Sequence, residues 1–597
     1  MNGSGGDPLV QTRGGTFEEA LASGRRLLVE QPAAALQQAQ SLLRFGPEPR
    51  ALELAAAAFR SLGRTAEAEQ AELTAIKVSF AISELDDAAV AGQEGRNVES
   101  RELVELFLQE NPGNLLALTM AAEAQILAWE LEQAEARLRV VLGRAPTFLR
   151  AIMLMAKCLM LQARLREGIA VVEEVIRRKP DNRTALQYLA QLHAEANGHE
   201  KAAEIYGRML EIDPNQIDLW TMQAQHLRIL GRKQESIAAF RRALALDPNS
   251  GAAWWGLAQY FASDLADADV EAMEQALART SESPRDGGPL HIALSILAER
   301  RGDHAEAFRH LAEGKALRAS QHPYGAAVAS ANVDELIRTF TAERFAAHCG
   351  AGDPDDSPIF IIGMPRSGTT LVERILGRHS QIEASGELPI MPRLHERLRR
   401  DGDSSYPRRV AAMSDEELTK LGRWYVERSR DYRMTDKPRF IDKLNSNWFH
   451  APLIRLMLPN ARIIDLRRNA LDCCWSNFKM LFAEGHVASN NQRDIASFYR
   501  DYVKLTEAVG AASPGSILPI RYEDVVEDVE GQTRRMLEFL GLEYEPDCIN
   551  FHLSTSAVAT PSSEQVRRPI NRDSIGAAEP YRQWLGPMID ELGELAA

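Results

Sequence analysis

The chain is 597 residues long, 45% hydrophobic and 26% charged, with a net charge of −15. That length predicts several domains rather than one core. The acidic balance argues against general nucleic-acid binding, which needs a basic face, yet it permits a local basic pocket for an anionic ligand. The five cysteines, Cys158, Cys349, Cys473, Cys474 and Cys548, are odd in number and give no disulfide framework. Adjacent Cys473 and Cys474 read as core packing rather than metal ligands. The segment from Met1 to Asp7 has neither a basic nor an apolar region, and no apolar run is long enough to span a bilayer. A soluble cytoplasmic protein is the expectation.

The first half repeats. Pro112, Pro146, Pro180, Pro214 and Pro248 recur at one constant interval, about 34 residues. Ala122, Ala156, Ala190, Ala224 and Ala258 keep the same interval. Ala134, Gly168, Ala202 and Ser236 share that period, with Trp220 and Trp254, and Tyr206 and Phe240, in two further frames. This is the tetratricopeptide signature: two antiparallel helices per repeat, closely approached at small residues, bury their apolar faces only by stacking. Degenerate copies are expected at Ala51–Ile76 and Ala81–Pro112, and Gly302–Phe308 reads as the turn and second helix of a capping copy. The expected limits are an all-α tetratricopeptide solenoid over residues 15–320, a linker or capping helix over 321–356, and a second domain over 357–597. The array reads equally well as a peptide-binding surface and as a scaffold.

From Ser357 onward, short apolar runs alternate with helical patterns. Strands are predicted at Pro358–Ile362, Phe440–Asp442, Arg462–Leu466 and Ile517–Ile520. Helices are predicted at Thr370–Arg378, Asp415–Arg430, Phe449–Met457, Ala470–Phe482, Ile495–Val509 and Val525–Leu540. Such alternation specifies a C-terminal α/β, P-loop-like three-layer domain with a parallel sheet, whose ligands bind at the carboxyl ends of the strands.

The first strand runs into Gly363-Met-Pro-Arg-Ser-Gly-Thr-Thr370, and a helix follows. A strand, a glycine-bracketed loop and a helix N-terminus together aim backbone N–H groups at one anion. The frame is Gly-x4-Gly, but Thr369 stands where a nucleotide hydrolase has its phosphate-binding lysine, and Arg366 lies inside the loop. A site of this kind suits a nucleotide with a single 5′ group. A second cluster, Leu466-Arg-Arg-Asn-Ala-Leu-Asp-Cys-Cys-Trp-Ser476, puts Arg468 at a strand end and Ser476 about two helical turns on, a pair able to pinch another phosphate.

These two motifs resemble those of sulfotransferases that use 3′-phosphoadenosine 5′-phosphosulfate (PAPS). Residues 357–597 look like that domain, and Pro365-Arg-Ser-Gly-Thr-Thr370 is closest to the tyrosylprotein sulfotransferases. The combination with a repeat array is similar to a common bacterial group. The resemblance implies that Arg366, Ser367, Gly368, Thr369 and Thr370 hold the 5′ side of PAPS, and that Arg468 and Ser476 hold the 3′-phosphate. Tyr522 stands where the family places a tyrosine near the adenine. Sulfuryl transfer to a hydroxyl needs a base and cations where charge develops. A carboxylate suits the first task where burial raises its pKa. Glu387, in Ile382-Glu-Ala-Ser-Gly-Glu-Leu388, has the same spacing from Arg366 as the family's base; the family carries two consecutive glutamates there, and Gly386 replaces the first. Lys443 is implied at the bridging oxygen of the leaving group. Asn445 occupies the position of the histidine base of small-molecule sulfotransferases, which points to a carboxylate instead. In Pro561–Asn571, Ser562 would assist the bridging oxygen and Arg568 would reach the 3′-phosphate. Trp584 reads as packing that anchors the tail.

No ligand-spaced histidine cluster is visible, and no metal is expected. The activity implied is sulfuryl transfer to an unidentified hydroxyl acceptor, with a peptide or protein favoured because the array could hold a chain near the site. The alternatives are a P-loop phosphotransferase and a non-catalytic tetratricopeptide adaptor.

Overall fold

The repeat interval becomes a set of helical hairpins. In the computed structural model, which describes residues 16–400, 405–482, 486–553 and 570–596, first helices begin at Leu115, Leu149, Arg183, Ile217 and Gly251. Second helices begin at Leu131, Leu165, His199, Lys233 and Asp267. Both series keep the interval of the prolines. Those prolines lie just past a helix end, as Pro112 does after the cap Asn111, where a missing N–H and a restricted preceding residue do no harm. The degenerate copies are hairpins too, Pro49–Ser61 with Thr65–Ser79 and Ser83–Gln93 with Asn97–Glu110. The expected capping copy is the hairpin Gly287–Arg300 and His304–Gln321.

Small residues sit where helices approach. Ala122, Ala156, Ala190, Ala224 and Ala258 are all fully buried. Ser236 uses its hydroxyl to bond the carbonyl of Ala224 across the hairpin at 2.7 Å. The turn between the two helices needs a residue in the left-handed region. It is filled in successive copies by Gly95 (φ 78°), Trp129 (62°), Ala163 (56°), Asn197 (58°) and Gly231 (77°).

The chain divides into two compact units at Leu192/His193. The first is helical. Its core packs Leu115, Leu116, Ala121, Leu138 and Val141 among their neighbours, and the buried Glu72 takes a two-pronged bond from Arg144, both N–O distances being 2.9 Å. The second unit contains the helices from His199 to Gln321 together with the sheet and everything after it. The compact division thus cuts the array rather than following its end.

Five parallel strands form the sheet, in the order β2-β3-β1-β4-β5: β1 Pro358–Gly363, β2 Ile382–Ala384, β3 Arg439–Asp442, β4 Arg462–Arg467 and β5 Ile517–Arg521. Alternate residues face opposite layers. Ile359, Ile361, Ile464, Leu466 and Ile520 pack on Ile375, Met536, Leu537 and Phe551. Phe360, one residue out of phase, lies 5.4 Å from the ring of Tyr425 on the other face. Pro519 is tolerated because β5 is an edge strand.

Local signals explain the departures from expectation. The three-residue β2 is too short to read as an apolar run, and the helices Ile390–Arg400 and Tyr406–Ala411 were not expected. The helix predicted at Val525–Leu540 is two, Tyr522–Glu527 and Val529–Leu540, because extended Asp528 caps the second by accepting from the Gly531 N–H at 2.8 Å. The helix predicted to reach Phe482 ends at Phe478.

Candidate active site

All five strands deliver a candidate segment at one edge. β1 ends in the glycine loop, β2 leads into Ser385-Gly-Glu387, and β3 leads into Lys443. β4 leads into Arg468, and β5 into Tyr522. The parallel register holds these ends level: Gly363 pairs with Leu466 and Leu466 with Ile520.

The loop is crowded. A Cβ on Gly363 (φ 151°) would lie 2.6 Å from the carbonyl oxygen of Leu466, and one on Gly368 (φ 99°) would lie 2.5 Å from Cδ2 of Tyr522. Arg366 itself adopts φ 67°. Asn477 Nδ2 donates to the Pro365 carbonyl at 2.6 Å, and Thr369 Oγ1 donates to Asn445 Oδ1 at 2.9 Å. The Ser367 hydroxyl is buried with no hydrogen-bond partner among the described residues. A buried polar atom in that state is what an absent oxyanion would satisfy. Burial, and then the neighbouring Arg468, lower the Arg366 guanidinium to about 10.

The second motif touches the first. Arg468 Nη1 donates to the Arg366 carbonyl at 3.0 Å, and its guanidinium stands 5.6 Å from the centre of the Tyr522 ring. Tyr499 holds the Arg468 carbonyl at 2.8 Å. Asn469 caps the helix Ala470–Phe478 through the Asp472 N–H at 3.1 Å, and half-buried Ser476 lies two turns along it. Asp472 was not anticipated. Its carboxylate accepts the N–H groups of Gly576 (2.7 Å) and Ala578 (2.8 Å), while Arg468 also bonds the Ser574 carbonyl. The tail is therefore tied to the same helix. The tilted ring of Tyr581 lies 4.2 Å from that of Trp475, and Trp584 stacks 5.4 Å from Phe308. A cavity of about 560 Å³ opens beside Arg468, its wall carrying both Arg467, Arg521 and Arg535 and the carboxylates Glu507, Asp524 and Glu594. Ser562 and Arg568 lie outside the described residues.

Lys443 is 1% exposed and donates to Glu387 Oε1 at 2.6 Å. A second carboxylate, Glu373 Oε2, stands 4.0 Å from the same ammonium. Burial alone would lower the lysine, but the charges of Glu387 and Glu373 outweigh it and hold the ammonium above its usual range. Glu387 is 47% exposed and stands at the edge of solvent rather than in the interior. The buried acid is Glu373, raised by desolvation and bonded to the Gly386 N–H at 2.9 Å. Sequence reasoning missed Glu373. The available signal was its position one turn into the helix that the loop opens, on the turn facing the sheet. Asp442, a conceivable partner for Lys443, instead takes the Tyr425 hydroxyl at 2.7 Å, and burial pushes it up to about 7.

Away from this edge, histidines on neighbouring helices do meet, which corrects the reading that they form no cluster. His291 and His310 place their Nδ1 atoms 2.9 Å apart, with Glu313 at 3.4 Å from His291. Arg309 lies against His310 Nε2 at 2.9 Å and pairs with Glu313, so the group reads as a hydrogen-bonded network. No helix among the described residues is long and apolar enough to cross a membrane.

An uncharacterized protein of Aquifex aeolicus is 28% identical over 409 residues, covering 67% of this chain and 53% of that protein. The chain thus spans about half the length of that relative. A putative protein-tyrosine sulfotransferase of Caenorhabditis briggsae is 24% identical over 233 residues, 36% of this chain and 79% of its own length. The solved sulfotransferase domain of the Synechococcus PCC 7002 olefin synthase is 19% identical, covers 39% of this chain and 96% of its own, and superposes with a TM-score of 0.26. Residues 358–546 match the model of the sulfotransferase family, and residues 159–225 and 217–250 match tetratricopeptide-repeat models. By these family models, the chain carries a sulfotransferase-family domain behind an array of tetratricopeptide repeats.

Proposed function

We propose that the protein transfers a sulfuryl group from PAPS to a hydroxyl acceptor. The observation that carries this reading is the bond from Arg468 to the Arg366 carbonyl: the loop suited to a 5′-phosphosulfate and the arginine suited to a 3′-phosphate adjoin, so one adenosine bisphosphate reaches both. The buried Ser367 hydroxyl, without a hydrogen-bond partner among the described residues, supports an anionic ligand at the loop. In this reading Arg366 to Thr370 hold the 5′ side, Arg468 and Ser476 hold the 3′-phosphate, and Tyr522 flanks the base. Ser562 and Arg568, outside the described residues, would serve the bridging oxygen and the 3′-phosphate by the family resemblance.

The acceptor O–H gives its proton to Glu387 as its oxygen bonds to sulfur. The bond from sulfur to the 5′-phosphate oxygen breaks, and 3′-phosphoadenosine 5′-phosphate leaves. Lys443, already between Glu373 and Glu387, turns its ammonium to the leaving oxygen and offsets the charge that grows there. An exposed Glu387 suits this role, because the acceptor must approach from solvent. A tyrosine of a peptide or protein is the acceptor we favour, and the cytoplasm the setting.

The direct test is calorimetric binding of 3′-phosphoadenosine 5′-phosphate. Micromolar binding to the intact chain is expected, with a loss of about ten- to a hundredfold in Arg468→Ala, since a hydrogen bond between charged groups contributes about 1.5–3 kcal/mol. No binding, or equal binding by both proteins, would overturn the reading.

A further inference from the structure

The peptide that precedes Glu387 is held on every side. The Ser385 N–H bonds the Ile441 carbonyl at 3.3 Å. The Gly386 N–H bonds Glu373 at 2.9 Å, and the Gly386 carbonyl accepts the Lys443 N–H at 2.9 Å. The fourth group, the Ser385 carbonyl, takes its bond from outside the sheet domain: Asn197 Nδ2 donates to it at 3.0 Å. Asn197 belongs to the repeat turn between the helices Arg183–Glu195 and His199–Ile212. Its amide lies over Gly386, where an added Cβ would come within 3.8 Å of it. The turn is pinned beside this bond, because Glu195 pairs with Arg393, which in turn bonds the Tyr432 hydroxyl at 2.6 Å.

The position is unusual within its own repeat. The turn asks for a left-handed residue, which glycine supplies at Gly95 and Gly231. Asparagine is among the few other residues that visit this region readily. The turn could therefore be made without a side chain, and the side chain present here spends its amide on the segment that carries the base. In the next repeats the Arg228 guanidinium lies 4.0 Å over the centre of the Tyr260 ring.

We propose that Asn197 is a positioning residue for the base, and that this repeat is part of the catalytic apparatus. The proposal rests on the sulfuryl-transfer reading with Glu387 as base. Lys443 holds the Glu387 carboxylate at 2.6 Å, and the peptide before Glu387 sets where its side chain starts; three of that peptide's four bonds come from the sheet domain while the fourth comes from Asn197.

The test uses the full chain with Asn197→Gly, which keeps the left-handed turn and deletes the amide, and with Asn197→Asp, which keeps the shape but turns an acceptor toward the Ser385 carbonyl. Label transfer from radiolabelled PAPS to a host-cell extract is followed as initial rate against pH, beside calorimetry with 3′-phosphoadenosine 5′-phosphate. The expected result for Asn197→Gly is unchanged nucleotide affinity and unchanged half-saturating PAPS. The rate should fall about ten- to a hundredfold, the scale of a misplaced catalytic group, and the acidic limb of the pH profile should shift. Asn197→Asp should lose at least as much. A wild-type rate and pH profile in Asn197→Gly would overturn the proposal, as would a loss of nucleotide affinity, which marks a role in folding. Failure of the unmodified chain to bind the nucleotide would instead overturn the underlying sulfuryl-transfer reading.

Discussion

Gly231 and Gly368 both adopt a left-handed backbone, the first in a repeat turn and the second in the glycine loop. Around Gly231 no other residue crowds the place where a Cβ would stand, whereas at Gly368 the Tyr522 ring is 2.5 Å away and Leu466 is 3.4 Å away. The turn recurs in five successive repeats, and Trp129, Ala163 and Asn197 occupy it without losing the hairpin. In the array, then, a left-handed turn is a geometric need that many residues meet at some strain. In the loop, the same backbone is coupled to a close approach of two strand ends and a ring, and only glycine fits. The array distributes its stability over many equivalent contacts; the site concentrates its function in a few crowded ones.

The contrast can be broken or sharpened by experiment. The largest effect should come from Glu387→Gln, with a fall in transfer rate of about a thousandfold, within the usual range for a general base, and unchanged binding of 3′-phosphoadenosine 5′-phosphate. A rate within a factor of a few of wild type would remove Glu387 from the mechanism. Next, Gly368→Ala should weaken that nucleotide by about a hundredfold, from strain of about 1–3 kcal/mol at the left-handed position together with the clash on Tyr522. Its thermal stability should change less than its affinity. The matched change in the array, Gly231→Ala, should cost about 1 kcal/mol in denaturant unfolding and leave nucleotide affinity untouched. Equal effects of the two glycine substitutions on affinity would erase the distinction between the two turns.

The smallest effect is a pH slope. Burial lowers His226 and His310 to about 4. The unfolded chain, with ordinary histidines, takes up protons that the folded state refuses, so stability falls as pH drops from about 6.5 toward 4. Between pH 7 and pH 6 this amounts to about 0.7 kcal/mol per histidine, and His310→Gln should flatten it in urea titrations. Asp442 runs the other way: burial raises its carboxyl to about 7, so its contribution is present at low pH and is lost as pH rises from about 4 through 7.

How far the sequence could be read depended on range. The hairpins were legible because each depends on residues a fixed distance apart, such as Ala224 and Ser236, which meet within one repeat. The glycine loop and Arg468 were legible because a strand end, a turn and a helix start follow one another along the chain. Glu373 was hidden, since a glutamate in an amphipathic helix looks solvated until Lys443 and the Gly386 N–H are brought to it. Asp472 was hidden for the same reason: its partners, Gly576 and Ala578, are remote along the chain. The exposure of Glu387 was not legible, because spacing from Arg366 specifies a position along the chain but carries no information about exposure.

The linear chain determined the repeat period, the alternation of strands and helices, and the order in which the glycine loop and Arg468 follow their strands, because propensity, turn chemistry and hydrophobic period act over a few residues. Which carboxylate is buried, which arginine touches which carbonyl, and that Asn197 of a repeat turn bonds the Ser385 carbonyl were decided only when the parallel sheet brought five strand ends to one edge and packed the last repeats around them. Those outcomes depend on distances between residues remote in the chain, and packing alone sets such distances.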